Sequence, residues 1–239
     1  MKTIALGTDA GLYRMVPGVV IRVESEEELK VVMAACHDLD LPFTFRGSGT
    51  SVSGQAISES VLIMLSEAWK EVRVYDGDNR VTARCASTGG EINACLAPFQ
   101  RKLGPDPASL QSATIGGMVA NNSSGMGCGV AKNSQKTLAS MRLILADGAV
   151  LDTGDIQSRE AFRASHSHIL DGLETLARQI RNTPEVLSRI QKNTPSKTPP
   201  AFPSTPLWIM KIPLRCWPIS WWARKGVWGL SQASPFTPY

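Results

Sequence analysis

The sequence predicts an α+β fold, and three observations lead to this prediction. The 239 residues, 43% of them hydrophobic, suffice for one large domain or two small ones with a buried core. Residues 19–45 carry strand, helix and strand signals in turn, as expected for a β-α-β unit of about 30 residues. Two later stretches have the pattern of hairpins, whereas residues 159–189 repeat their apolar positions at helical spacing.

The β-α-β unit opens with the short apolar strand VVIRV, Val19–Val23. Ser25 follows the strand and Glu28 stands three residues later, which is the capping-box pattern at the start of a helix. The segment LPFTF forms the next predicted strand and ends at Arg46. The apolar residues of the intervening helix share one face: Leu29, Val32, Met33 and Cys36.

Further elements are predicted along the rest of the chain. Val61–Leu65 is an apolar strand, and the alternating segment EVRVYDGDNRVTARC indicates a hairpin around Gly77–Asp78. The segment GGEINACLAPFQRKLG is predicted to be a helix between glycines. Asp147-Gly148 lies between two apolar runs and favours a hairpin with a type I′ turn. The final helical stretch is expected to break near Pro184.

Charge and cysteine content argue against several classes of protein. The net charge is +4, but residues 193–239 contain five basic residues and no acidic one. Residues 1–192 therefore hold 20 basic and 21 acidic residues and carry −1, so a nucleic-acid-binding face is not expected. The five cysteines show no CxxC or CxH spacing, which argues against a zinc site or a disulfide framework and favours reduced thiols in the cytoplasm.

Other site types are not expected either. The N-terminus lacks the apolar run of a signal peptide, and no stretch reaches the roughly 18 apolar residues of a membrane span. His37, His166 and His168 are expected to be ordinary helix residues, so no metal site is predicted. The sequence offers no credible Ser-His-Asp set, and hydrolase chemistry is therefore not supported.

A first glycine-rich segment, FRGSGTSVSGQA (residues 45–56), follows directly on a predicted strand. Gly47, Gly49 and Gly54 permit positive φ and a close approach of the backbone. Successive amides and hydroxyls in such a loop can surround an anion, and a diphosphate is the natural ligand. The segment matches neither the P-loop nor the GxGxxG pattern, and a plain surface turn stays open as an alternative.

A second glycine-rich segment, GPDPASLQSATIGGMVANNSSGMGCG, spans residues 104–129 and contains six glycines. Pro105 and Pro107 stiffen its entry and disfavour helix before them. Thr114–Gly117 leads into a short apolar helix, which is followed by small polar residues. Such a composition suits a buried planar ligand whose polar edge must meet backbone donors.

The two segments, about 60 residues apart, together resemble the flavin-binding domain of the vanillyl-alcohol oxidase and p-cresol methylhydroxylase (PCMH) type. Within this family the motifs look most like those of D-lactate dehydrogenases and glycolate oxidase subunits, in the long form fused to a C-terminal iron–sulfur module. The resemblance extends over residues 7–191. It implies a PCMH-type domain that occupies residues 1–191 and is incomplete at its C-terminus. This domain is expected to consist of two α/β subdomains, with FAD held non-covalently between them.

The resemblance also implies which residues bind the cofactor. A histidyl flavin bond is not expected, because Thr50 and Ser51 stand where covalently flavinylated members often carry His. Arg46, beside the first segment, could pair with phosphate or form a structural salt bridge. The full set of expected FAD contacts is drawn from both segments: Arg46, Gly47, Ser48, Gly49, Thr50, Ser51, Asp106, Pro107, Thr114, Gly116, Gly117, Asn121, Ser124 and Gly125.

The activity implied is oxidation of a D-2-hydroxy acid by hydride transfer to flavin, with D-lactate as the first candidate substrate. Electrons would then pass to a quinone, a cytochrome or an iron–sulfur module, whose cluster is expected only in full-length relatives. The family's substrate-binding arginine and basic histidine lie in a downstream cap domain, so the catalytic residues stay unknown. A flavin oxidase for another alcohol such as glycolate, and an inactive FAD-binding fragment, are alternatives. The full-length form is expected in the cytoplasm, with peripheral binding at the inner face of the membrane left open.

Residues 192–239 differ in character from the rest of the chain. Residues 193–239 hold nine of the 15 prolines and five of the six tryptophans, without helical or strand periodicity. Read two nucleotides later, codons from Lys192 onward allow KYPIKNTTGFSLNALVDYEDP, similar to the family's KYxIKNTTGxSLNALVD. In the same shifted frame, the codons of PLRCWPISWWARKGVWGLS allow PFEMLAHLMVGSEGCLGFIS, similar to its GSEGTLGFISE. Met and Trp have single codons and fix many positions of this shifted reading, so a chance match is not expected. We therefore expect residues 192–239 to be a frameshifted, non-native tail.

Overall fold

The structure, a computed structural model, describes residues 2–75, 79–129, 131–193, 229–230 and 234–235. Its helices are α1 (Lys2–Ala5), α2 (Glu26–Asp38), α3 (Gly89–Leu96), α4 (Ile115–Ala120), α5 (Ser134–Thr137), α6 (Ile156–Ser165), α7 (Ser167–Arg181) and α8 (Pro184–Asn193). Its strands are β1 (Val19–Val23), β2 (Phe43–Arg46), β3 (Val61–Leu65), β4 (Val72–Tyr75), β5 (Arg80–Ala83), β6 (Arg101–Lys102), β7 (Leu138–Ser140), β8 (Arg142–Ile144), β9 (Val150–Asp152), β10 (Gly229–Leu230) and β11 (Ser234–Pro235).

A parallel sheet in the order β1-β3-β2 confirms the predicted β-α-β unit. Helix α2 covers this sheet, and its residues Leu29 and Met33 are fully buried in the first core together with Trp69. Ser25 caps the helix by accepting a hydrogen bond from Glu28 N at 3.1 Å. The Glu28 carboxylate accepts from Glu24 N at 2.7 Å, one residue before the position that the capping-box pattern predicts.

A second core lies around the antiparallel hairpin β4–β5, helices α3 and α4, and residues of β7 and β8. Its most buried side chains include Ile92, Ile115 and Met118. The β4–β5 hairpin was predicted, although its expected turn at Gly77–Asp78 lies outside the described residues. Two cores built from mixed helices and strands confirm the predicted α+β fold with two subdomains.

The prediction of one helix across GGEINACLAPFQRKLG is wrong in its extent. Helix α3 ends at Leu96, a 3-10 turn follows over Ala97–Phe99, and Gln100 has a left-handed backbone. The cause is Pro98, which has no N–H to donate and whose ring excludes a continued α-helix. The chain then forms β6 instead of another helical turn.

The predicted hairpin around Asp147-Gly148 is confirmed as β8–β9, but the predicted type I′ turn is wrong. In this turn only Gly148 has positive φ, at +82°. Gly148 N donates to Leu145 O at 2.9 Å, and Leu145 N donates to Ala149 O at 2.8 Å. This is a three-residue loop with glycine in the left-handed position, which places the extra residue in a bulge.

The helical stretch has two breaks rather than one. The expected break before Pro184 is present, and Pro184 opens α8 as a first-turn proline. A second break at His166 separates α6 from α7. Within the described residues no helix is long and apolar enough to cross a membrane.

Residues beyond α8 enter the description only at two short strands. β10 pairs antiparallel with β7, and β11 pairs antiparallel with β6. Residues 192–193 of the predicted frameshifted tail end α8, and apart from β10 and β11 the rest of the tail lies outside the described part of the chain.

Candidate cofactor-binding site

A cleft lies where the two glycine-rich segments meet. It holds roughly 770 Å³ of space, part of it open to solvent. The first segment enters it from the end of β2, and the second enters it at the start of α4. The cleft is lined by Arg22, Phe45, Arg46, Gly47, Ser48, Met64, Leu65, Ser66, Glu67, Lys70, Cys85, Ala86, Thr88, Thr114, Gly116 and Gly117.

The two segments touch directly at Gly47 and Thr114. A Cβ at position 47 would lie 2.5 Å from Thr114 Oγ1, so only glycine fits at this approach. The hydroxyl of Ser48 donates a hydrogen bond to the carbonyl of Ser112. The contact therefore fixes the backbone of one segment against the backbone of the other.

The second segment is held from behind by the chain between β5 and α3. Ile115 N donates to Ser87 O at 2.8 Å, and Gly116 N donates to Cys85 O at 3.0 Å. A Cβ at Gly116 would lie 2.9 Å from Cys85 Cβ. These contacts place Gly116 and Gly117 at the wall of the cleft, with no side chain to fill it.

The guanidinium of Arg46 lies beneath the first segment. Its Nη1 donates to Thr8 O at 2.8 Å, to Ala56 O at 3.1 Å and to Leu6 O at 3.4 Å. Burial lowers the pKa of Arg46, and the charge of Asp9 opposes that shift. Arg46 therefore joins the N-terminal residues to the loop that follows β2.

A charged network borders the other end of the cleft. Lys70 Nζ lies 3.0 Å from Glu67 Oε2 and 2.9 Å from Glu91 Oε1. Hydrogen bonds to Glu91 and Glu67 raise the pKa of Lys70. The hydrogen bond from Thr88 N is the largest cause that lowers the pKa of Glu91.

This network is not among the features predicted from the sequence, although one signal for it is present. Thr88 and Glu91 form a complete capping box at the start of α3, with hydrogen bonds of 3.2 and 2.7 Å. The spacing T-x-x-E indicates such a box before a helix. That cap places Glu91 in the first turn of α3, but its partner Lys70, 21 residues earlier, carries no local signal.

Eight of the residues expected to contact FAD do not line the cleft in this structure. They belong to the outer half of the first segment or to the flanks of the second: Gly49, Thr50, Ser51, Asp106, Pro107, Asn121, Ser124 and Gly125. Asp106 Oδ1 accepts from Cys128 N at 3.1 Å, and a Cβ at Gly125 would overlap the carbonyl oxygen of Asp106. Both residues thus shape the fold of the second segment.

None of the three histidines lines the cleft. Among the described residues, no group of three or more His, Cys, Asp or Glu side chains could hold a metal ion. His166 lies 2.8 Å from Asp147 Oδ2 and 2.7 Å from Ser165 Oγ. The Ser165 hydroxyl also donates to Ala161 O at 2.9 Å within α6. The contact between His166 and Asp147 therefore connects the end of α6 to the β8–β9 turn, outside the cleft.

Comparison with known families settles what kind of domain contains this cleft. The family described as FAD binding domain matches residues 17–154, more than half of the chain. The chain belongs to this FAD-binding family. The match includes both glycine-rich segments and every residue that lines the cleft.

Curated relatives of this FAD-binding domain are longer proteins. D-lactate dehydrogenase of Archaeoglobus fulgidus is 30% identical over 162 residues, which are 66% of this chain and 36% of the relative. D-2-hydroxyglutarate dehydrogenase of Pantoea ananatis is 26% identical over 63% of this chain and 15% of the relative. Glycolate oxidase subunit GlcD of Escherichia coli is 28% identical over 59% and 29%. The chain thus spans little more than a third, or less, of these relatives.

Solved structures share the fold. 6-Hydroxy-D-nicotine oxidase from Arthrobacter nicotinovorans aligns with a TM-score of 0.55 at 14% identity, over 63% of this chain and 33% of that one. Alkyldihydroxyacetonephosphate synthase aligns with a TM-score of 0.53 at 20% identity, over 63% and 30%. These likenesses confirm the predicted PCMH-type FAD-binding fold.

The residues of the cleft fit the cofactor of the family. A dinucleotide needs backbone amides that approach its diphosphate without side chains between. Gly47 lines the cleft without a side chain, and Gly117 lies against the Thr114 oxygen that Gly47 also approaches. The amides of Gly116 and Gly117 already donate to Cys85 O and Thr114 Oγ1, so the amides around Gly47 are the ones that fit a diphosphate. Ser48 and Thr88 add small polar side chains along the same cleft.

Proposed function

We propose that this chain is the FAD-binding part of an oxidoreductase that oxidises a D-2-hydroxy acid. The observation that carries the proposal is the convergence of Gly47–Ser48 and Gly116–Gly117 on one cleft, inside the residues that match the FAD-binding family. Bound FAD supplies the hydride acceptor, and the protein supplies its position and its electrostatic surroundings.

Within this proposal the two segments divide the cofactor between them. Backbone amides around Gly47 and Ser48 receive the diphosphate, and the residues around Gly116 and Gly117 receive the flavin. The proposed binding is non-covalent, and it is supported by Thr50 and Ser51, which stand where covalently flavinylated relatives often carry histidine. A denaturant should therefore release all flavin from the protein, and flavin that stays with the unfolded chain would contradict this part.

The substrate class is proposed from the named relatives, which include a D-lactate dehydrogenase and a glycolate oxidase subunit. D-lactate is the first candidate, with glycolate and D-2-hydroxyglutarate as further candidates. Electrons leave the flavin for a quinone, a cytochrome or an iron–sulfur module. The test is anaerobic addition of each acid to the FAD-loaded full-length protein, with L-lactate as the control, while the visible flavin absorbance is followed. D-lactate should bleach the flavin and L-lactate should not. Bleaching by none of the D-2-hydroxy acids or glycolate would refute the substrate class.

We also propose that residues 1–191 belong to the native FAD-binding domain and that residues 192–239 are translated in a shifted frame. The support is the codon reading described above, which yields two family-like segments across a proline- and tryptophan-rich tail. Sequencing the coding DNA tests it. A one-base insertion or deletion near codon 192 is expected, and an intact reading frame in closely related genes with the same tail would contradict it.

A further inference from the structure

The N-terminal residues 6–16 lie against the first glycine-rich segment and precede the residues that match the FAD-binding family. We propose that Asp9 is a positioning residue, whose carboxylate holds the outer half of the first segment in the conformation that receives the diphosphate. This inference rests on the proposed function, because it concerns the same cofactor.

The carboxylate of Asp9 is bound by the loop at two points. Ser51 Oγ donates to Asp9 Oδ2 at 2.8 Å, and Gly54 N donates to the same oxygen at 3.0 Å. The other oxygen accepts from Gly11 N at 2.7 Å. Ala10 N donates in addition to Ser51 O at 2.9 Å. One side chain therefore ties two residues of the loop to the N-terminal residues.

Steric contacts keep the two pieces of chain in register. A Cβ at Gly11 would overlap the carbonyl oxygen of Val52, so the N-terminal backbone passes directly over the loop. Gly54 has φ of +78°, a conformation that glycine adopts without strain. The carboxylate of Asp9 thus meets the loop where its backbone turns.

Arg46 anchors the same N-terminal residues from below. Its Nη1 donates to the carbonyls of Leu6 and Thr8, on the N-terminal side of Asp9. The positive charge of Arg46 balances the negative charge of Asp9 close to a site that must receive an anion. Hydrogen bonds from Gly11, Ser51 and Gly54 outweigh partial desolvation and lower the pKa of Asp9, which keeps the carboxylate ionised.

The consequence for binding is preorganisation. The outer half of the loop, Ser51–Gly54, does not line the cleft, and its hydrogen bonds to Asp9 leave the amides around Gly47 and Ser48 for the ligand. A loop that must be ordered by its ligand binds more weakly than one already held in place. Asp9 therefore acts on the diphosphate through the loop, without contact with the isoalloxazine ring.

The experiment compares binding of ADP, which carries the diphosphate, with binding of riboflavin, which lacks it. The 239-residue chain and its Asp9→Asn variant are titrated with each by calorimetry or fluorescence. The introduced amide can accept through only one oxygen, so ADP affinity should fall by about tenfold, while riboflavin affinity should change by less than about twofold. Ser51→Ala should weaken ADP binding in the same direction, and Ser51→Thr, which keeps the hydroxyl, should restore it. Asp171→Asn, an equal charge change on the exposed surface of α7, is the control and should leave both affinities unchanged.

Three results would overturn the inference. Unchanged ADP affinity in Asp9→Asn would show that the loop needs no tie to the N-terminus. An equal loss of ADP and riboflavin binding would show a general loss of structure rather than a positioned loop. Failure of the wild-type chain to bind ADP or FAD would overturn the proposed function, and this inference with it. The first two results leave the proposed function intact, so the two failures are distinguishable.

Discussion

In the first glycine-rich segment, Gly49 and Gly54 have φ of +74° and +78°, whereas Gly116 and Gly125 of the second segment lack positive φ. Gly54 has room for a side chain, because its nearest neighbour to a Cβ is 3.6 Å away. Gly116 and Gly125 have none, because other parts of the chain occupy the space. Gly54 in the first segment is thus used for backbone conformation, and Gly116 and Gly125 in the second are used for close approach. The division is not complete, because Gly47 of the first segment is also a close approach and Gly129 of the second has φ of +50°.

The segments also differ in what supports them. The first is held largely by side chains, Asp9 and Arg46, that reach it from distant parts of the sequence. The second is held largely by backbone hydrogen bonds to the chain before α3. We therefore expect single substitutions to weaken the first segment in small steps, and to disrupt the second segment in one step.

The largest effect is expected for Gly125→Ala. The new Cβ would overlap the backbone carbonyl of Asp106, which has no flexible atoms to move aside. We expect the free energy of unfolding to fall by about 3 kcal/mol in urea denaturation. Gly129→Ala is the matched control, since no described residue lies within 4 Å of its Cβ and only its φ of +50° is unfavourable, at a cost of about 1 kcal/mol. Equal losses in both variants would remove the close-approach explanation.

Gly47→Ala should act on cofactor binding more than on stability. Its Cβ would lie 2.5 Å from Thr114 Oγ1 and force the two segments apart at the cleft. A cost of about 1.4 kcal/mol or more corresponds to at least about tenfold weaker FAD binding. Gly117→Ala meets the same oxygen at 3.1 Å and should weaken binding less. Fluorescence titration with FAD measures both, and the reverse order would be inconsistent with the contact.

Gly54 tests the conformational half of the comparison. Gly54→Ala should lower the free energy of unfolding by about 1 kcal/mol, because a left-handed backbone is strained for alanine. Gly54→Asn should cost less, since asparagine tolerates this conformation. Thermal or urea unfolding of the two variants decides the point. If Asn is no better than Ala, space rather than φ limits this position.

A smaller and opposite effect is expected at Gly172, inside α7. Among the residues that the structure describes, none lies within 4 Å of a Cβ there, and no positive φ is required. Gly172→Ala should raise the free energy of unfolding by about 0.5 to 1 kcal/mol, because alanine favours the helix. A destabilised variant would show that this part of α7 contacts something that the described residues do not include.

The smallest effect is the pH dependence of the tie at Asp9. The pKa of Asp9 is lowered in the folded protein. Its hydrogen bonds therefore stabilise the fold at pH values above the ordinary pKa of aspartate, and this stabilisation is lost as the pH falls through the pKa of the folded protein. The stability difference between wild type and Asp9→Asn should therefore be constant near neutral pH and shrink below about pH 4. Urea midpoints of both proteins at several pH values measure it. A difference that grows on acidification would have the wrong sign.

Much of this architecture follows from local sequence. The strands β1 and β3 are predicted because each is a short apolar run, and the helix α2 is predicted because its apolar residues recur at helical spacing after Ser25. The cleft is predicted from the two glycine-rich segments, and Gly47 of the first and Gly116 of the second line it. Local signals are enough wherever neighbours in sequence make the contacts.

The remaining features depend on contacts between residues far apart in the chain. Asp9 lies in a segment without periodicity, and its partners Ser51 and Gly54 stand 42 and 45 residues later. The break at His166 likewise coincides with a hydrogen bond to Asp147, 19 residues away. Such pairs carry no local pattern, so sequence reasoning cannot place them.

The most direct test of the account is an absorbance spectrum of the purified chain after incubation with FAD and desalting. We expect visible flavin bands that stay with the protein and are released on denaturation, and that are much reduced in Gly47→Ala. A folded wild-type chain that emerges colourless, or a Gly47→Ala variant that retains as much flavin as wild type, would contradict the claim that the two glycine-rich segments form the FAD cleft.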